Sequence, residues 1–310
     1  MSNKRVEVID NRSWWLKNRW LLLRRTSQLG VLALFLLGPV AGIWIIKGNL
    51  NSSLVLDFLP LSDPFIFIQS WLADHQFGTN AVIGALIIAA FYLLVGGRAY
   101  CAWVCPVNIV TDTAHWTRNK LGLRGNTRIN RNTRYWLLAT SLLLSALTGI
   151  IAWEWINPVS ILQRGIIFGM GTGWLIILAV FLFDLAVSKR GWCGHLCPVG
   201  AFYSLLGSHS PVRIRAENRD ACDKCMDCFD VCPEPLVLSP ALFGKKDGIG
   251  PVVNEANCTN CGRCIDVCSK EVFKFGTRFD NSISCGPDQT GTETLTSRKP
   301  EHFKHEEART

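Results

Sequence analysis

Four stretches carry no charged side chain over a length that would cross a bilayer: residues 28–46, 76–97, 135–153 and 165–183. A hydrocarbon core of roughly 30 Å takes about 20 helical residues, so each predicts a transmembrane helix. Pro39, in the first, is a tolerable kink. Residues 55–73 are also apolar but are broken by Asp57, Pro60, Asp63 and Pro64, and predict an interfacial or re-entrant segment in place of a fifth span. Past residue 207 the pattern changes to short apolar runs between cysteine-rich loops, with 211–215 and 250–254 reading as strands. After Gly276 the chain turns polar and reads as a disordered tail, in which Cys285 is expected as a free surface thiol. The expected organisation is a basic interfacial segment (1–27), a four-helix membrane domain (28–207), a cysteine-rich domain (208–275) and a tail (276–310).

Charge orients the helices. Seven Lys/Arg precede the first span, and seven lie between the second and third (Arg98, Arg118, Lys120, Arg124, Arg128, Arg131, Arg134) against the single acid Asp112. The other two loops hold only Lys47 and Arg164. Positively charged loops stay cytoplasmic, so both termini and the middle loop are expected there. Trp14, Trp15 and Trp20 among basic residues predict a short helix at the cytoplasmic interface. The formal charge of +8 therefore follows topology, and nucleic-acid binding is not expected.

The membrane half repeats. Asp63-Pro64, the second span and Cys101-Ala-Trp-Val-Cys105-Pro106-Val107 are matched by Asn157-Pro158, the fourth span and Cys193-Gly-His-Leu-Cys197-Pro198-Val199. Both copies cross in the same direction, giving a parallel repeat about an axis along the membrane normal. On a helix, positions i and i+4 share a face, so each cysteine pair is expected to point one way. Facing each other, Cys101, Cys105, Cys193 and Cys197 would make a further redox or metal site; the alternative is that they only pack, or end a helix through Pro.

Eight of the 13 cysteines form a doubled spacing: Cys222-x2-Cys225-x2-Cys228-x3-Cys232-Pro233 and Cys258-x2-Cys261-x2-Cys264-x3-Cys268. This is the bacterial [4Fe–4S] arrangement, in which the fourth cysteine serves the other cluster. One cubane is expected on Cys222, Cys225, Cys228 and Cys268, and a second on Cys258, Cys261, Cys264 and Cys232, with each fourth cysteine opening a short helix. Ser269 stands where the motif usually has Pro. Zinc prefers isolated cysteine pairs, and a disulfide framework does not suit a reducing compartment. The fold class is thus membrane α-helical, four helices in two parallel repeats, with a C-terminal α+β double-[4Fe–4S] ferredoxin domain.

Together, the four spans, the paired Cys-x3-Cys-Pro motifs and the double cubane motif resemble the NapH family over roughly residues 20–275. The resemblance implies a multi-pass protein of the bacterial inner membrane. It implies oxidation of quinol within a complex, as a quinol dehydrogenase subunit. It also implies delivery of electrons through a periplasmic ferredoxin-type subunit and a c-type cytochrome to periplasmic nitrate reductase. Proton acceptors for quinol would come from Asp63, Glu154, His115, Asp184 or His195. The alternative function is an accessory protein for oxidase or copper-site assembly, whose relatives carry a further globular domain. A flavin-bearing membrane regulator ranks third, since only 27 residues precede the first span.

Overall fold

The computed structural model describes residues 12–74, 78–123, 127, 129–169, 171–245 and 247–279. Cys285 and the tail from 280 onward lie outside the described residues. Helix α1 (Trp14–Ala41) ends where Gly42 takes a left-handed φ of 72°, its N–H donating to the Gly38 carbonyl and the Ile43 N–H to the Leu37 carbonyl. Its 28 residues make it the one described helix long and apolar enough to cross a membrane. Trp14, Trp15 and Trp20 belong to this helix and not to a separate interfacial one, because no breaker interrupts residues 14–38.

The chain after α1, expected over 55–73 as one interfacial or re-entrant segment, is part sheet and part helix. It opens as an antiparallel sheet of β1 (Ile46–Gly48), β2 (Ser52–Val55) and β3 (Leu59–Ser62), with Pro60 on an edge strand where its missing N–H costs no ladder bond. Helices α2 (Pro64–Asp74), α3 (Thr79–Val95), α4 (Ala99–Trp103) and α5 (Val107–Lys120) complete the first repeat. The second comprises α6 (Thr133–Thr148), α7 (Pro158–Phe168), α8 (Trp174–Ala186), a π-helical turn (Trp192–Leu196) and α9 (Pro198–Leu206).

The expected span at 165–183 is two helices. Gly169 (φ 91°) and Gly171 (φ 45°) break the chain after Phe168, and α8 packs back on α7. The first repeat has the same plan, α2 against α3. Both hairpins start inside the protein. A buried helix start needs its first N–H groups satisfied: Asp63 accepts from the Phe65 and Ile66 amides at 2.8 and 3.2 Å, and Asn157 from the Val159 amide at 3.1 Å. Pro64 and Pro158 have no N–H to satisfy.

The repeats pack on each other, α5 on α8, α2 on α6 and α9 on α3. Their ends meet at Gly97 and Gly207, where a Cβ on either would run into the other's backbone. Tyr92, Tyr100 and Tyr203 fill the centre, with Tyr100 and Tyr203 stacked at 4.9 Å and the Tyr203 hydroxyl donating to Asp63.

In the cysteine-rich half, β4 (Val212–Ala216) pairs with β5 (Phe273–Thr277), so the domain runs beyond 275. Residues 250–254 do not form a strand. They make a single bridge at Val252, since Pro251 has no N–H to donate to a ladder. Of the helices here, α12 (Arg263–Val267) packs on β5 and on α1, α11 (Ser239–Phe243) packs on β4, and α10 (Asp227–Val231) packs on α12.

Three four-cysteine sites

The two ferredoxin loops are built alike. Lys224 and Met226 have φ of 58° and 66°, and their counterparts Asn260 and Gly262 have 46° and 72°. These left-handed positions turn the chain tightly enough for three cysteines to face inward. The third cysteine of each set lies in α10 or α12, and the fourth ends that helix instead of opening one. Pro233 excludes helical geometry at Cys232, which is extended at ψ 131°. Cys268 is extended too, at ψ 105°, so Ser269 does not alter the turn.

Cys222, Cys225, Cys228 and Cys268 line one cavity of about 20 Å³. Cys232 lies with Cys258, Cys261 and Cys264. Backbone N–H groups point at these sulfurs, from Asp227 to Cys225, Glu234 to Cys232, Asn260 to Cys258 and Arg263 to Cys261. Among the described residues, no three His, Cys, Asp or Glu side chains gather closely enough for one metal ion. Soft thiols ringed by N–H donors and spread wider than single-ion ligands fit a cubane better than zinc.

The Cys-x3-Cys-Pro motifs do not lie on continuous α-helices. Cys101 is in α4 and Cys105 follows it. Cys193 is in the π-helical turn, and Cys197 precedes α9. All four nevertheless line a single cavity of about 20 Å³, closed by Tyr100, Trp153 and Trp192. Each Cys-Pro opens a helix whose first amides point at sulfur: Val107 and Asn108 at Cys105, Val199 and Gly200 at Cys197. This cavity matches the first ferredoxin cavity in volume and in its four-thiol wall. Asn157 and Pro158 line it too, so the start of α7 dips to the cysteines.

Residues counted as topology charges dock the two halves. Arg98 donates to the Cys193 carbonyl and the Asn257 carbonyl, both at 3.0 Å. It thus bridges the four-cysteine cavity to the residue before Cys258. Glu234 binds Arg98, Arg131 and Arg134 at 3.1–3.2 Å, with Arg98 and Arg134 fully buried. Trp103 donates its indole N–H to Asn260 O. On the other flank, Asp112 binds Arg25, Arg190 and Arg263. Sequence reasoning missed Glu234, although it directly follows Cys232-Pro233.

The expected proton acceptors are spread out. Asp63 and Asp184 are buried caps, the latter accepting from the Trp192 amide at 2.9 Å. Glu154 is held by Asn51, Ser160 and Arg164. His195 sits between Cys193 and Cys197, and His115 pairs with Asn119.

The fold and its cysteine sites define an iron–sulfur electron-transfer protein of ferredoxin type. A family model described as "4Fe-4S binding domain" matches residues 77–124 and 168–216, the two Cys-x3-Cys-Pro repeats. A "4Fe-4S dicluster domain" matches residues 221–272. The chain is 56% identical to the methylamine utilization ferredoxin-type protein MauN of Paracoccus denitrificans, over 89% of this chain and 96% of that protein. It is 52% identical to the ferredoxin-type protein NapH of Haemophilus influenzae (87% and 93%) and 48% to that of Escherichia coli (89% and 95%). No solved structure matches it. The chain belongs to the family of ferredoxin-type proteins that includes NapH and MauN.

Proposed function

We propose that the chain is a multi-pass inner-membrane subunit that takes electrons from quinol and passes them toward a periplasmic nitrate reductase system. The partners would be a periplasmic ferredoxin-type subunit and a c-type cytochrome. Quinol yields two electrons and two protons, and each cubane would carry one electron. Cys222, Cys225, Cys228 and Cys268 would hold the first cubane, and Cys232, Cys258, Cys261 and Cys264 the second. Cys101, Cys105, Cys193 and Cys197 would hold a further centre between them and the membrane. Outward-facing Leu86, Phe91, Leu143, Leu147 and Leu182 on α3, α6 and α8 support burial of these helices in lipid. Both termini would be cytoplasmic.

One observation carries this reading: cysteines from both repeats share one cavity, and Arg98 ties that cavity to the Cys258 loop. The test is the Cys101→Ser/Cys193→Ser double variant. Quinol-driven electron delivery should stop while both ferredoxin cubanes stay visible by EPR. Normal turnover would make these thiols structural.

The MauN relative supports a second reading, in which the same unit serves methylamine utilization. Deleting the gene separates the two: loss of nitrate respiration supports the first, and loss of growth on methylamine the second. Both relatives favour electron transfer over the assembly-factor alternative.

A further inference from the structure

The two ferredoxin sites share a ligand pattern and differ in their surroundings. In the first, Cys225 is exposed and its neighbours Asp223 and Asp227 are acidic, offset by Lys224. In the second, Cys258, Cys261 and Cys264 are buried, and arginines close on them from both halves of the protein. Arg263 opens α12, two residues after Cys261. Arg190 donates to Val231 O at 2.7 Å, one residue before Cys232. Arg98 donates to Asn257 O, one residue before Cys258.

Arg24 arrives from α1. The preceding turn of that helix seats Trp20 directly on Gly262, between Cys261 and Arg263. Arg24 is only 2% exposed; its Nε donates to Trp20 O at 3.3 Å, and its Nη1 is buried with no partner among the described residues. The nearby carboxylates are already engaged. Asp112 holds Arg25, Arg190 and Arg263; Glu234 holds Arg98, Arg131 and Arg134; Asp266 accepts from the Trp20 and Leu21 amides.

We propose that Arg24 is a positioning and tuning residue for the second cubane, donating from Nη1 to its sulfur and making it the more readily reduced of the two. This rests on the cubane reading above. A buried donor needs an acceptor, and the sulfurs of a thiolate-bound cluster are the acceptors in the loop that Arg24 abuts. Each cubane takes one electron with no bond made or broken, and the negative charge gained is stabilised by cations and N–H donors around it. Potential follows net charge, hydrogen bonds to sulfur and exposure. Burial alone would make the second cluster harder to reduce, and the ring of buried guanidinium groups reverses that order. An electron held in this half therefore rests beside the four-cysteine cavity and not at the exposed first cluster.

The test is a potentiometric titration of the full-length protein, purified anaerobically in detergent and followed by EPR. The two ferredoxin cubanes are expected to titrate in two one-electron steps at distinct potentials, with the higher of these altered in Cys261→Ser. In Arg24→Gln the higher step should fall, with the reduced-to-oxidised ratio at the original midpoint dropping about tenfold, or about 59 mV. The lower step should not move. Arg24→Lys keeps the charge but not the fork, so it should shift less in the same direction, and it serves if Arg24→Gln loses iron. A single shared potential in the natural protein, or an iron-replete Arg24→Gln with unmoved potentials, would overturn the proposal. A natural protein without iron would end the cubane reading itself.

Discussion

Asp112 and Glu234 each gather three arginines, and their behaviour on titration or substitution differs from that of a surface carboxylate. Burial alone would raise the pKa of Asp112, but Arg263, Arg190 and Arg25 hold it at about 2. An ordinary Asp titrates near ~3.9. Ionised Asp112 therefore contributes its full stabilisation above about pH 4, and loses it as pH falls through about 2. The contribution is on the order of 2 kcal/mol. Asp112→Asn should lower the melting temperature at pH 7 and flatten the stability difference between pH 4 and 2, read by tryptophan fluorescence in detergent. Glu234→Gln should cost more, about 3–5 kcal/mol, because two fully buried arginines lose their counter-charge. Melting curves of the purified variant would show it, and an unchanged midpoint would mean the arginines are solvated. The cysteines were legible because their spacing is local. These carboxylates were not: Asp112 and Arg263 lie 151 residues apart, and nothing in the chain announces their meeting.

Among the elements, a charge-free run located α3 and α6 to within five residues but not α1, which begins 14 residues before its run because Lys17, Arg19, Arg24 and Arg25 lie within the helix. It failed for the fourth run because composition does not distinguish one 19-residue helix from two half-helices around a glycine turn. Gly169, Gly171 and Gly173 were the available signal. Strand β5 escaped notice because its partner β4 lies some 60 residues earlier. The repeat, by contrast, was visible in its Asx-Pro and Cys-Pro punctuation, and both kinds of Pro start helices. The glycine contact between α3 and α9 gives a sharp test. Gly97→Ala should force the two repeats apart, since the obstructing atoms are the backbone of Tyr203 and Gly207. Sharply reduced accumulation in the membrane is expected, whereas Gly122→Ala, in open space at a positive φ, should cost only about 1 kcal/mol.

For the whole molecule, the orientation follows if the ferredoxin half and the basic loop share one side. A reporter active only in the periplasm should be silent when fused after Gly276 and active when inserted at Asp57, in the exposed turn between β2 and β3. The reverse pattern would overturn the topology. Iron content should reach about eight atoms per chain from the two ferredoxin cubanes, and exceed it if the Cys-x3-Cys-Pro cavity also holds a cluster.

In that orientation the inward start of α7 bears on how far an electron must tunnel. Asn157 and Pro158 touch the four-cysteine cavity, while the other end of the helix, Phe168, is exposed. The 11 residues between them span about 16 Å, roughly half of a 30 Å hydrocarbon layer. Set in a bilayer that way, the protein would thin its own insulation at this point. A redox partner docking on the outer face near Phe168 would face a barrier one short helix deep, and the chain would need no further cofactor of its own to reach it.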